Sequence, residues 1–385
     1  MRDSNDRLVL SLLRREGPLP KIEISRRTGL SAQAGSAIVT RLEERTLLRR
    51  LEPTRGRVGQ PAVPYVLRDD GAFSLGLKLG RRSADLALLD FLGKPRWTAH
   101  ETYPWPTPEG VAAFVSRALP RALGQLDARK RRRVVGLGVA TPFELWNWGP
   151  EVGGPRDAME AWRGVDVGAL IAPLCPLPTY VCNDASAACA GEMHFGEGWR
   201  DGDFVYFFVG SFVGGGVALG GALFQGRDGN AGALGSMPVS ARGGGGPQQL
   251  IRRASIYLLE EALKREGRDP SPIWRDPRRW GDLGPALDSW IDDAADALAQ
   301  ATVAAAAVIA CGRAVIDGAF PAEVRARLVN RTAERMASLD LQGLSPISVR
   351  EGSIGADARS IGAGALPFLA NFAHEGAGAL GAVAT

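Results

Sequence analysis

Cysteine and histidine are scarce in this chain. Its 385 residues include three scattered histidines and four cysteines, which are Cys175, Cys182, Cys189 and Cys311. No two cysteines form a C-x-x-C pair, so we interpret them as buried thiols and not as a redox motif or a disulfide framework. A structural zinc site needs about four sulfur or nitrogen ligands close together, and the sequence predicts no metal site.

Long apolar runs are also lacking. Residues 303–311 are apolar but short and alanine-rich, which favours a buried helix over a membrane span. Residues 1–7 have no apolar stretch of the signal-peptide kind. A hydrophobic content of 45% and a charged content of 23% are ordinary for a globular protein. We therefore expect a cytoplasmic protein of two or three domains without a membrane partner.

Positive charge is concentrated at the N-terminus. Residues 1–68 hold fourteen Lys and Arg against seven Asp and Glu, a net charge of +7, whereas the whole chain carries only +4. The remainder is therefore slightly acidic, at −3. A basic head on an acidic body is typical of a nucleic-acid-binding module joined to a different domain.

Within this head, residues 22–48 have the pattern of a helix-turn-helix. Gly29 stands where the turn needs a left-handed residue, and Ser31 is a good N-cap for the second helix. Short polar groups and a guanidinium on that helix suit base edges and phosphates in a major groove. The predicted DNA-contacting residues of this segment are Ser31, Gln33, Ser36, Thr40 and Arg41.

A two-stranded wing is predicted directly after the helices. Apolar runs at residues 47–52 and 63–67 flank a loop rich in glycine, proline and arginine. Arg55 and Arg57 at the tip of this hairpin are suited to contact the DNA backbone or minor groove. The alternative is a basic helical domain that binds a protein instead of DNA.

The rest of the chain alternates between strands and helices. Two antiparallel strands at 73–79 and 84–90 precede a helix at 110–126 and a buried strand at 133–140. A second pair at 204–209 and 217–224 surrounds a glycine-rich loop, and the final third is largely helical. This order predicts an α/β body built from two similar halves.

Several segments together resemble the ROK family, in its branch of xylose and N-acetylglucosamine repressors. The matching segments are the winged helix-turn-helix and residues 74–90, 136–142, 162–165, 183–185, 210–216, 231–232 and 361–365. The resemblance implies a two-lobed, actin-like and sugar-kinase-like (ribonuclease H-like) ATPase fold behind the winged head, with a ligand between the lobes. The implied domains are 1–68 for the head, 69–185 for the first lobe and 186–385 for the second lobe.

The sequence departs from the kinases of this family at the phosphate site. The kinases hold ATP and magnesium near an Asp-x-Gly-Gly-Thr turn, and here Lys78 replaces the Asp, Arg81 the second Gly and Arg82 the Thr. An ammonium group cannot coordinate a metal, and a bulky side chain blocks close backbone approach to a phosphate. We therefore predict no catalytic residues and no nucleotide cofactor.

The sugar and zinc motifs of the family are also incomplete. Asn183 and Asp184 remain, but Ala233 and Ser236 replace a Glu and a His that grip a hexose, and the zinc loop at 238–250 has no cysteine. We predict Asn183 and Asp184 as ligand-binding residues; Asp184 is alternatively a cap on the helix that follows it. The remaining cationic side chains are more typical of solvated surface groups; the alternative is that they favour an anionic ligand such as a sugar acid or sugar phosphate.

These observations predict a DNA-binding transcriptional regulator, a repressor of carbohydrate-related genes. Its expected partners are double-stranded DNA with a palindromic operator, a sugar or sugar-derivative effector, and further copies of the chain in a homodimer or homotetramer. Two alternatives stay open: a sugar kinase with a fused DNA-binding head, and a regulator that responds only to a protein partner.

Overall fold

The N-terminal head consists of three helices and a small antiparallel sheet. The structure is a computed structural model that describes residues 2–53, 62–148, 155–197, 202–243 and 245–374. The head's elements are α1 (Arg2–Glu16), β1 (Leu19–Pro20), α2 (Lys21–Thr28), α3 (Ala32–Glu44), β2 (Leu48–Arg50) and β3 (Pro64–Leu67). Strand β3 lies between β1 and β2 and is antiparallel to both, so β2 and β3 form the predicted wing.

Local sequence signals set the angle between α2 and α3. Gly29 ends α2 with a φ of 69°, in the left-handed region that glycine enters without a Cβ penalty. Ser31 caps α3, where its Oγ accepts a hydrogen bond of 3.2 Å from the amide of Ala34. Ile24 and Leu42 are fully buried between the helices. The predicted helix-turn-helix is therefore confirmed.

The first sheet of the body has five strands in the order β6-β5-β4-β7-β8. They are β4 (Phe73–Leu79), β5 (Ser83–Asp90), β6 (Pro95–Thr102), β7 (Val134–Thr141) and β8 (Thr179–Asn183). Strands β4, β5 and β6 form an antiparallel meander, and β7 pairs in parallel with β4. The accompanying helices are α4 (Pro108–Leu123), α5 (Ala128–Arg131), α6 (Arg156–Glu160) and α7 (Val167–Ile171).

The second sheet repeats this arrangement in the order β11-β10-β9-β14-β15. Its strands are β9 (Phe204–Val209), β10 (Val213–Leu219), β11 (Ala222–Leu223), β14 (Arg313–Gly318) and β15 (Ser348–Glu351), and β12 (Pro238–Val239) with β13 (Gln248–Gln249) makes a separate hairpin. The meander β9–β11 again continues into parallel strands. The prediction of two similar halves is confirmed.

Seven further helices belong to the second half and the C-terminal part. They are α8 (Asp184–Phe195), α9 (Ile251–Ala254), α10 (Ile256–Arg265), α11 (Ser271–Arg275), α12 (Gly284–Ile309), α13 (Ala322–Ala337) and α14 (Ala358–Phe372). Among the helices that the structure describes, none is long and apolar enough to cross a bilayer.

The glycine-rich segment between β9 and β10 differs from its prediction as a loop. Strand β10 begins at Val213, so the glycines at 214–216 lie in a strand and not in a loop. A Cβ on Gly214 would approach the Cβ of Ala185 to 2.8 Å, and one on Gly216 would approach that of Cys189 to 2.5 Å. These glycines are needed because α8 packs directly on the strand.

The chain divides into two compact units. One comprises Met1–Val181 and Ala363–Thr385, and the other comprises Cys182–Gly362. This division differs from the predicted boundary at 185 and from the assignment of the C-terminal residues to the second lobe. The C-terminal residues belong to the first unit because of apolar packing. The ring centroid of Phe91 lies 5.5 Å from that of Phe368 and 4.9 Å from that of Phe372, both in α14.

Candidate nucleic-acid interface and ligand site

Helix α3 presents a polar face to solvent. Gln33 and Thr40 are exposed and Ser36 is half-buried, whereas Ile38 and Leu42 on the opposite side fill the core of the head. Ser31 is exposed at the start of the helix and its hydroxyl is used as the cap. The side chains predicted to read DNA thus share one end and one face of α3, as a recognition helix requires.

Lys21 completes this face and was not identified from the sequence. Its Nζ donates hydrogen bonds to Ser36 Oγ at 3.2 Å and to Thr40 Oγ1 at 3.1 Å. The same ammonium lies 5.5 Å from the ring centroid of Tyr65 in β3, within range of a cation–π interaction. The sequence did contain one indication that this position is special, because Lys21 is the only lysine in residues 1–68 and every other basic residue there is an arginine.

Arg41 has a partner inside the head. Its guanidinium pairs with the carboxylate of Asp6 in α1, and Arg45 lies 3.4 Å from the same carboxylate. The Asp6 side chain is only 7% exposed. DNA contact by Arg41 stays a prediction, since these contacts already give the guanidinium a structural role.

The wing arginines Arg55 and Arg57 lie outside the described residues. Their predicted contact with the DNA backbone or minor groove stays a prediction. The strands on either side of the loop are described, and Arg50 at the end of β2 pairs with Glu43 of α3 at 2.6 Å. The wing is therefore tied to α3 at its base.

In the first sheet, Lys78 forms an ion pair across neighbouring strands. Lys78 of β4 is the direct partner of Asp85 in β5, and its Nζ lies 2.9 Å from the Asp85 carboxylate and 2.7 Å from Ser83 Oγ. The other carboxylate oxygen is 2.5 Å from His100 Nδ1. Burial would raise the pKa of Asp85, but the Lys78 charge and the hydrogen bonds from His100 and Lys78 hold it well below its usual range.

Gly80 makes room for this lysine. A Cβ at that position would lie 2.6 Å from both Cε and Nζ of Lys78 and 2.9 Å from the carbonyl oxygen of Ser83. The turn after β4 is therefore packed around an ammonium group, and the carboxylate beside it, that of Asp85, is already paired with this ammonium.

Asn183 and Asp184 have different roles at the start of α8. Asn183 is the cap, because its Oδ1 accepts from the amides of Ala185 at 3.0 Å and Ser186 at 3.2 Å. Asp184 is not the cap; its carboxylate lies 3.2 Å from Nη1 of Arg359. The Arg359 guanidinium also lies 4.8 Å from the ring centroid of Phe208. Ligand binding by Asn183 and Asp184 stays a prediction.

The segment at 238–250 is a short hairpin held by arginine. Pro238–Val239 pairs with Gln248–Gln249, and Arg242 lies 2.5 Å from Asp293 of α12. Arg253 is buried and reaches Ser240 O at 2.6 Å and Asp296 at 3.1 Å. Across the described part of the chain, no group of three or more metal-ligating side chains is clustered.

Comparison with known proteins identifies both parts of the chain. The sequence model of the ROK family matches residues 74–249. A model described as winged helix-turn-helix DNA-binding matches residues 2–45. The chain carries a ROK-family domain behind a winged helix-turn-helix.

The curated relatives that the chain resembles include transcriptional regulators. The DNA-binding transcriptional dual regulator NagC of Escherichia coli (strain K12) is 26% identical over 246 residues, which are 62% of this chain and 58% of that protein. The xylose repressor of Bacillus spizizenii is 22% identical over 62% of this chain and 61% of its own length. The chain thus spans less than two thirds of these curated relatives.

Solved structures share the ROK fold. A ROK family transcriptional regulator, a homolog of the E. coli MLC protein, has a TM-score of 0.65 at 19% identity, with 96% of this chain and 97% of that chain covered. A ROK glucokinase from Streptomyces griseus has a TM-score of 0.58 at 20% identity over 77% of this chain and 99% of its own. Both likenesses concern the fold alone.

The four cysteines lie in the interior of the described structure. All four are buried and unpaired, which confirms the interpretation of core thiols. Burial, with a smaller effect of Asp184, raises the pKa of the Cys182 thiol to about 12. Burial also raises the pKa of the other three thiols, so all four are protonated at neutral pH.

Proposed function

We propose that this chain is a DNA-binding transcriptional regulator that represses carbohydrate-related genes. The observation that carries the proposal is the polar face of α3, with Lys21 fixed beside it, in a winged helix-turn-helix whose net charge is +7. A basic head of this kind supplies the electrostatic part of DNA affinity, and the side chains on α3 supply the sequence preference. The similarity to the xylose repressor supports the link to sugar genes.

We further propose that the ROK domain is not a kinase. Lys78 is buried and paired with Asp85, so a fixed cation lies beside the turn after β4 and the neighbouring carboxylate is already engaged by it. In unit two, Asp184 is engaged by Arg359 and is not free to accept a proton from a sugar hydroxyl. These two ion pairs argue against the alternative function, a sugar kinase with a fused DNA-binding head.

A sugar or sugar-derivative effector is part of the proposal, with Asn183 and Asp184 as its candidate contacts. Because Arg359 pairs with Asp184, an effector hydroxyl has to compete with a guanidinium for this carboxylate. A ligand with its own carboxylate or phosphate gains from Arg359 what a neutral sugar does not. Screening by thermal shift with neutral sugars and sugar acids side by side distinguishes the two classes.

DNA binding is tested by selection from random duplexes with the full chain, followed by affinity measurement over a range of salt concentrations. We expect enrichment of a defined site, and Gln33→Ala is expected to change its sequence. Gln125→Ala, at an exposed position just beyond the end of α4, is expected to leave it unchanged. Repression is then tested by placing the selected site upstream of a reporter. Absence of any enriched sequence would overturn the proposal.

Kinase activity is tested by coupled ATP consumption with glucose, xylose and N-acetylglucosamine. We expect no sugar-dependent turnover. Saturable, sugar-dependent ADP release that is lost in Asp184→Asn would establish the kinase alternative instead.

A further inference from the structure

The ammonium of Lys21 fixes the direction of two hydroxyl groups on α3. An ammonium group has three donors and no acceptor, so Ser36 Oγ and Thr40 Oγ1 can only accept from it. Each hydroxyl retains its own proton and one lone pair that the ammonium does not use. Within the described residues, neither hydroxyl donates that proton to a protein group, although Thr28 in α2 donates to the carbonyl of Ile24 in the usual helical way.

Three elements hold the lysine in this position. Lys21 begins α2, its acceptors lie one helical turn apart on α3, and the ring of Tyr65 from β3 is beside it. Tyr65 is only 4% exposed, so the ring that contacts the ammonium is held in place by the core of the head. The arrangement therefore exists before any ligand is bound, which lowers the entropic cost of using it.

We propose that Lys21 occupies one acceptor lone pair on Ser36 Oγ and one on Thr40 Oγ1, which biases both hydroxyls toward donating and thereby sets part of the base preference of α3. Serine and threonine hydroxyls ordinarily contact either donors or acceptors on bases. With the lysine in place, they are better matched to acceptor edges: N7 of the purines, O6 of guanine and O4 of thymine. The N4 amino group of cytosine, which only donates, is disfavoured because it would share the hydroxyl oxygen with the ammonium. This inference rests on the proposed function in DNA binding.

A simpler role for the same lysine predicts a different result. If Lys21 only contacts a phosphate, its loss weakens binding to every sequence equally and lowers the salt slope by roughly one unit. If it orients the hydroxyls, its loss relaxes the preference at one or two base pairs of each half-site. The two roles are separable because one is uniform across sequences and the other is local.

The experiment compares selection profiles and affinities of the full chain with those of Lys21→Met, Lys21→Arg and the double variant Ser36→Ala/Thr40→Ala. Lys130→Met, on a partly exposed lysine of α5, is the matched control for loss of one charge. We expect Lys21→Met to reduce discrimination against cytosine by about three- to tenfold at particular positions, the size of one hydrogen bond. The double alanine variant relaxes the same positions, and Lys21→Arg keeps the preference because a guanidinium also only donates.

Two outcomes overturn the inference. A uniform loss of affinity in Lys21→Met with an unchanged profile assigns the lysine to a phosphate. Relaxation at different positions in the double alanine variant separates the lysine from the hydroxyls. In both of these outcomes the wild-type chain still selects a defined site, so the proposed DNA-binding function stands. If the wild-type chain selects no site at all, the proposed function and this inference are both overturned. Thermal unfolding of each variant checks that the head is folded.

Discussion

Arg41 shows how one side chain can have a structural and a functional candidate role at once. Its guanidinium and that of Arg45 neutralise the buried carboxylate of Asp6. We predict that Arg41→Ala lowers the free energy of unfolding by about 1–2 kcal/mol, because a buried acceptor loses its main donor while Arg45 remains. Denaturant unfolding of the full chain measures this effect.

The salt dependence of DNA binding separates the two roles of Arg41. Since Arg41 and Arg57 are both predicted DNA contacts, we expect the slope to fall by nearly one unit in Arg41→Ala and in Arg57→Ala. A folded Arg41→Ala variant with an unchanged slope would leave this guanidinium with its structural role alone.

The Lys78–Asp85 pair predicts a specific dependence of stability on pH. The pKa of Asp85 is lowered in the folded chain, so its contribution is present above the ordinary carboxyl pKa of about 4 and is lost as the pH falls further. Asp85→Asn removes this contribution. We expect the difference in unfolding free energy between wild type and Asp85→Asn to be largest at pH 6 and to shrink below about pH 4.

Asp203→Asn is the control for the Asp85 measurement, because Asp203 faces solvent and accepts a backbone hydrogen bond without a nearby lysine partner in the described structure. Unfolding is followed between pH 2 and pH 7 for all three proteins. If the difference in unfolding free energy between wild type and Asp85→Asn is constant over that range, the Lys78–Asp85 pair is not the source of the pH dependence.

At single positions, the sequence predicts which chemical groups are present better than it predicts which distant residues they contact. Replacement of a carboxylate by Lys78 is visible in the sequence, and so is the N-cap at Ser31, because caps depend on neighbouring residues. The pairing of Asp184 with Arg359 is not visible, since these residues are far apart in the chain and meet only in the fold. For the same reason the sequence assigned Arg41 to DNA without its partner Asp6.

At the scale of elements, the backbones of α8 and the start of α14 come into close contact at two glycines, Gly191 and Gly362. A Cβ on Gly191 would lie 2.8 Å from the Cα of Gly362, and one on Gly362 would collide with the carbonyl of Ala187. We predict that Gly362→Ala destabilises the chain by about 1–3 kcal/mol, because backbone atoms have to separate to admit the methyl group.

Gly312→Ala is the matched control for this crossing, since a Cβ there meets nothing closer than 3.7 Å. Denaturant midpoints of both variants are compared with the wild-type midpoint at constant m-value. Equal midpoints for Gly362→Ala and Gly312→Ala would show that the helices separate without cost.

Secondary structure was predictable where the apolar pattern was strong. The strands at 73–79 and 84–90 and the head helices follow from alternation and caps. Strand β10 was missed at its start because glycine is depleted in strands and marks loops. Its glycines are explained only by α8 packing above them, which is a tertiary contact.

At the scale of the molecule, the head contacts the rest of the first unit through Arg14 of α1, which donates to the carbonyl of Phe91 at 2.8 Å. Directly after the head, Arg96 bridges Asp69 and Asp90 at 2.7 and 2.8 Å. The sequence predicted the head and the repeated body correctly, because each has its own pattern. It did not predict that the end of α14 packs on Phe91, since no local signal marks that contact.

The last prediction concerns symmetry. Val308 near the end of α12 is 83% exposed, and Ala304 and Ala307 beside it are also exposed, so this helix presents a small apolar face. We propose that the face pairs with a second copy of the chain, because an isologous contact buries it in both copies at once. Two heads related by a twofold axis then bind half-sites separated by whole helical turns, roughly 10 base pairs each.

Light scattering and footprinting test this assembly. We expect a wild-type dimer or tetramer on a palindromic site, and Val308→Glu is expected to shift the chain toward monomer and to weaken operator binding because the two heads no longer bind as a unit. Leu92→Glu, on a partly exposed leucine of the first unit, is the control. A wild-type monomer, or a selected site without twofold symmetry, contradicts the symmetric assembly. An intact oligomer in Val308→Glu contradicts only the placement of the interface on α12.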